Sequence, residues 1–189
     1  MEKKTEKQQN GRGRYAFTAK RVCYAAVAVA LVSVCSWIAI PFGGVPYTLQ
    51  IFALCLIALL LGVRLSLAAV AAYLLLGFCG VPVFAGFTGG AEKLLSPTGG
   101  YLLAALPFVC IVALFSKRTF LGKTLGAVLA LAVTYLLGAL YFSVIVTGFT
   151  LNGFWAAIVT CVLPYIPADI AKLLLAVWLS GRLKKYLSI

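Results

Sequence analysis

Two ionisable residues stand where ionisable residues are costly. Asp169 and Lys172 lie inside an apolar run that continues to Leu183, and each charge costs about 2.5–3.5 kcal/mol at the centre of a membrane helix. Their spacing of three puts them on one helix face, near enough to pair. Pairing alone is a weak reason to keep them, because a buried ion pair is seldom a net source of stability and two apolar residues would sit more cheaply in lipid. A carboxylate that accepts and an ammonium that donates suit a binding site for a small polar solute. Gln50, whose amide does both, lies in a second apolar run. At ~1.5 Å per residue, all three sit roughly 15–20 Å from the basic residues that anchor one membrane face. Pocket walls are expected from the stretch 84–100. There Gly86, Gly89 and Gly90 allow backbone to approach closely, and Phe84, Phe87 and Tyr101 offer aromatic faces. The same composition also suits an ordinary connection between helices.

Other chemistries lack their parts. The chain has no histidine, and Asp169 is the single carboxylate within a span, so neither a Ser–His dyad nor an aspartyl pair can be assembled. No catalytic residue is expected. The six cysteines (Cys23, Cys35, Cys55, Cys79, Cys110 and Cys161) lie in apolar runs with no C-x-x-C pair. Without histidine they predict no metal site and no cofactor, and they read as small buried hydrophobes. Gly122-Lys123-Thr124 looks like the end of a phosphate-binding loop, but Lys117 stands where that loop needs its first glycine. No ATPase site is expected.

The elements that must position these residues are membrane helices. Of 189 residues, 63% are hydrophobic and 11% charged, against about 45–50% and about 25% in a soluble domain. Too few charges exist to build a water-facing surface, so the lipid bilayer is the expected solvent. The reading is an all-α membrane protein: a basic cytoplasmic N-terminal tail at 1–21, then a six-helix membrane domain at 22–185. A span needs about 20 mostly apolar residues. The first covers 22–41 and ends at Pro41-Phe42-Gly43-Gly44, too long for the apolar core of a signal peptide. The second covers about 47–63, and Arg64 marks a tight turn into the third, about 65–83. The fourth is about 101–115, the fifth about 124–147, and the sixth about 167–183, with a loop and short helix across 148–163.

Charge placement orients these spans. The net charge is +12, which can signal nucleic acid, but such a partner is not expected because the charges lie in the tail and the short gaps. Fourteen of the sixteen basic residues fall on one face, leaving Lys93 (beside Glu92) and Lys172. Basic residues collect on the cytoplasmic side, so both termini are cytoplasmic and the number of spans is even. In the first helix Ala26 and Ala30, with Ala25 and Ser33 nearby, form a small-residue face suited to close helix packing, within the chain or with a partner.

Four segments carry a resemblance: Val45-Pro46-Tyr47-Thr48-Leu49-Gln50, Gly80-Val81-Pro82-Val83-Phe84-Ala85-Gly86, Pro97-Thr98-Gly99-Gly100-Tyr101, and Pro167-Ala168-Asp169-Ile170-Ala171-Lys172. In this order, over roughly residues 20–185, the chain resembles the BioY family, the membrane-embedded biotin-binding (S) components of energy-coupling-factor (ECF) transporters. Ala168 departs from it, standing where many relatives are expected to have glycine. The resemblance implies a high-affinity biotin-binding subunit of a multi-pass kind in a bacterial plasma membrane, working with a transmembrane coupling protein and two ATPases. It implies that biotin meets Asp169, Lys172, Gln50, Phe84, Gly86 and Tyr101, and that Ala26 and Ala30 dock on the coupling protein. Lys172 suits either the carboxylate or the ureido oxygen of biotin. A second reading is an autonomous carrier of a small polar solute, with Asp169 taking up and releasing a proton. The chain shows no internal inverted repeat of the kind common in carriers.

Overall fold

In lipid each backbone N–H and C=O must be satisfied within its own segment, and the apolar runs accordingly fold as helices. A computed structural model describes residues 2–40, 46–148 and 150–186, with side chains from residue 19 onward. Helix α1 spans Glu2–Trp37. It passes through the expected 21/22 boundary without a break, and the Lys, Glu and Gln of the tail are good helix formers. The expected stop at Pro41–Gly44, and Val45 of the first resemblance segment, lie outside the described residues. A short antiparallel pair follows, β1 (Ala39–Ile40) against β2 (Tyr47–Thr48), with Ile40 opposite Tyr47.

Helix α2 spans Gln50–Phe78 but is not continuous, because Gly62 leaves helical geometry at φ 73°, ψ 175°. The positive φ is readily reached by glycine alone. A straight helix would separate Gln50 from Tyr73 by roughly 35 Å, yet the Gln50 amide donates to the Tyr73 hydroxyl at 3.3 Å. The helix therefore folds back on itself, with arms 50–61 and 63–78. The expected tight turn is present. It sits at Gly62 rather than Arg64, and the second arm stops at Phe78 rather than Val83.

Beyond it the 84–100 stretch is more ordered than a plain loop. Phe84 pairs with Thr88, α3 spans Ala91–Leu95, and α4 begins at Gly99 and runs to Leu103. Helix α5 (Ala105–Leu114) continues it, and α6 spans Phe120–Thr147. Thr119 caps α6 by accepting from the Gly122 N–H. The 148–163 segment holds α7 (Leu151–Cys161), and α8 (Ile166–Leu183) begins with Pro167 in its first turn. Ala19–Trp37, α2 and α6 are each long and apolar enough to cross a membrane, and α7 with α8, bent by 58°, qualify as a pair. By length and composition, the described residues thus hold three to four candidate spans, with the folded-back α2 counted as one.

Helix α2 is central, packing on α5, α1 and α8, while α6 meets α5, α4, α7 and α8. Leu54, Val70, Phe108 and Leu173 fill the middle and are buried, whereas Leu75, Val144 and Trp178 face outward. An apolar exterior of this kind is what contact with lipid demands. Cys35, Cys55 and Cys161 are buried as expected, but Cys23 and Cys79 are exposed. Cys23 lies on the outward face of α1, and Cys79 in the turn that closes α2.

Candidate binding site

A cavity of about 250 Å³ opens between α2, the 84–101 stretch, α5, α6 and α8. Its polar end is built on the first turns of α8. The Lys172 ammonium donates to Asp169 Oδ1 at 2.7 Å and to the Thr48 carbonyl at 2.7 Å. It also lies 3.9 Å from the centre of the Tyr47 ring, close enough for a cation–π contact. Tyr47 in turn stacks on Tyr165 with centroids 5.5 Å apart. The other carboxylate oxygen, Oδ2, accepts from the Tyr135 hydroxyl at 2.7 Å. Asp169 and Lys172 are only 5% and 9% exposed, so their charges are paired and hydrogen-bonded as burial requires.

The expected site residues separate cleanly. Asp169, Lys172, Gln50, Phe84 and Tyr101 all line the cavity. Gly86 does not. It takes φ +72° and turns the chain between Phe84 and Thr88, presenting its neighbours Phe84 and Ala85 to the cavity instead. Phe87 is also absent from the walls; it is 64% exposed and stacks on Trp37 at 4.9 Å. The Trp37 indole N–H donates to the Pro82 carbonyl at 2.8 Å, so α1 holds this stretch in place. Phe84 is 1% exposed and meets Tyr73 edge-on at 5.5 Å. Gly77 permits that packing, since a Cβ there would overlap the Phe84 ring.

Several site residues have no mark in the sequence. Tyr135 and Tyr165 are ordinary members of apolar runs, and only the fold brings them to Asp169 and Tyr47. Lys93, the basic residue that stands apart from the clustered cations in the sequence, also lines the cavity. Its ammonium has no hydrogen bond or ion pair with any described residue. Tyr101 is the one residue among those described whose side-chain polar atom, its hydroxyl, is buried without a partner. The described residues hold no group of three potential metal ligands. Ala26 and Ala30 are far from this chemistry: both are exposed, on the face of α1 opposite the buried Ala28, Val32 and Ser36.

The family model described as "BioY family" matches residues 4–189. The chain is 38% identical over 168 residues to the "Biotin transporter BioY" of Thermotoga maritima, covering 88% of this chain and 96% of that protein. It is 39% identical over 168 residues to the "Probable biotin transporter BioY" of Pyrococcus horikoshii, covering 88% and 97%. Among solved structures it is similar to the "S-component for biotin from an ECF-type ABC transporter", at 27% identity and a TM-score of 0.78, covering 90% of this chain and 93% of that one.

Proposed function

Since this chain belongs to the BioY family, we propose that it is the biotin-capturing membrane subunit of an ECF-type importer. One observation carries the reading: a cavity whose polar end is Asp169 and whose free cation is Lys93. Biotin joins a ureido ring, with two N–H donors and one carbonyl, to an apolar ring and chain that ends in a carboxylate. Asp169 keeps lone pairs beyond those used by Lys172 and Tyr135, so it accepts a ureido N–H. Lys172 is already committed to Asp169, Thr48 and the Tyr47 face. It balances the carboxylate of the protein rather than that of the ligand. The ligand's own carboxylate therefore falls to Lys93, while Phe84, Leu54, Leu102 and Phe108 cover the apolar middle.

The relatives named above are transporters, which supports a binding subunit rather than an enzyme. Uptake would draw on a coupling protein and two ATPases, with Ala26 and Ala30 as the docking face on α1. Exposure of both alanines leaves that face open for a partner. The two arms of α2, the α4–α5 pair and the other long helices support six crossings in a plasma membrane, with 22–185 as the membrane domain and both termini cytoplasmic. The proton-carrier reading is less well supported, because both carboxylate oxygens of Asp169 already hold partners within the chain, Lys172 on one and Tyr135 on the other.

The test is calorimetry of biotin and of biotin methyl ester with the purified protein. Tight biotin binding, a loss of 30-fold or more in Asp169→Asn, and a Lys93→Ala penalty that vanishes with the ester are expected. A well-folded parent that ignores biotin would sink the reading.

A further inference from the structure

The hydrogen-bond chain behind Gln50 has a direction, and that direction dictates what the pocket asks of its ligand. The Ser36 hydroxyl oxygen lies 2.8 Å from the Val32 carbonyl oxygen. Two oxygens that close need a proton between them, and a carbonyl has none, so the single Ser36 proton points at Val32. Ser36 must then accept from the Tyr73 hydroxyl, 3.0 Å away. Tyr73 has now used its only proton, so it can only accept from Gln50, and the Nε2 at 3.3 Å is the donor. Ser36 and Tyr73 are both fully buried, where no water competes to reverse the order. The amide orientation follows: Nε2 is turned to Tyr73 and Oε1 is left. No described residue donates to Oε1. It is not sealed in the core either, since Tyr101 alone among the described residues has a buried polar side-chain atom without a partner. Gln50 lines the cavity.

We infer that Gln50 presents a fixed acceptor, Oε1, to a ligand N–H, and that Tyr73 and Ser36 are positioning residues that hold it so. The inference rests on biotin being the ligand. The pocket then offers two acceptors, Asp169 and Gln50, to the two ureido N–H groups, one each. A free glutamine would turn either end to the ligand; this one discriminates. It rejects molecules that bring an acceptor, or a substituted nitrogen, to that position.

The experiment compares affinities for biotin and for the two isomers methylated on one ureido nitrogen, in the parent, Gln50→Leu, Tyr73→Phe and the double variant. The parent should reject both isomers at least tenfold. Gln50→Leu and Tyr73→Phe should each relax the rejection of the same isomer about fivefold, leave the other isomer's rejection unchanged, and not add to one another. Should Tyr73→Phe not fold, Ser36→Ala removes the far acceptor of the chain and should move the same ratio. Equal weakening of all three ligands, or unchanged ratios, overturns the inference while leaving the biotin reading intact. A folded parent without affinity for biotin overturns both.

Discussion

Tyr135 is one of the two residues that hold the carboxylate of the site. Its hydroxyl donates to Asp169 Oδ2 at 2.7 Å, and a hydrogen bond to a charged group contributes about 1.5–3 kcal/mol. Tyr135→Phe keeps the ring and removes only that donor. Biotin affinity should fall about tenfold in calorimetry, with the unfolding temperature nearly unchanged; parent-like affinity would show that Lys172 alone positions the carboxylate. Asp169 and Lys172 could be read from sequence because a charge in an apolar run is conspicuous, and their spacing of three is a helical contact. Tyr135, Tyr73 and Tyr165 could not. A tyrosine in an apolar run is compatible with a core, a lipid-facing rim or a site, and long-range packing decides which. Gly86 was a plausible contact for the opposite reason: a glycine-rich segment announces close approach without saying to what. Here the approach is of chain to chain.

At the level of the helix, two glycines show how differently the same residue type acts. Gly77 sits under the Phe84 ring, which leaves no room for a Cβ, whereas a Cβ at Gly181 in α8 would meet nothing within 4 Å. Gly77→Ala should destabilise by about 1–3 kcal/mol, the usual effect of overpacking. Gly181→Ala should be neutral or gain up to about 1 kcal/mol through helix propensity. Thermal unfolding in detergent distinguishes them, and equal midpoints would mean that Phe84 can move aside freely. Helix identity was readable along most of the chain, since apolar length is a strong signal in a membrane protein. Breaks were less so. Arg64 drew attention as the charge between two runs, but Gly62 makes the turn because only its backbone reaches φ 73° without strain. The helical start at Glu2 was missed because charge in the tail argued for water, and water does not forbid a helix.

For the molecule as a whole, the distribution of cations predicts orientation. On the six-crossing proposal Arg64, Arg118 and Lys184 would belong to one face and Glu92 to the other, and basic residues favour the cytoplasm. In intact cells, with the native cysteines replaced, Glu92→Cys should react with an impermeant maleimide. Arg64→Cys and Arg118→Cys should react only after permeabilisation. Labelling of Glu92→Cys and Arg118→Cys from the same side would refute a crossing by the α4–α5 pair between them. The membrane character of the chain followed from composition alone, whereas the cavity needed separate segments brought together.

The Lys172 ammonium grips the Asp169 carboxylate and the Thr48 carbonyl at once. Any outward movement of the strand that carries Thr48 takes a partner from a buried cation, so breathing of this wall is opposed electrostatically as well as by packing. Retention of a captured molecule would then be partly a matter of time as well as of contact energy: a clasp that slows the movement of its own wall would lengthen the dwell.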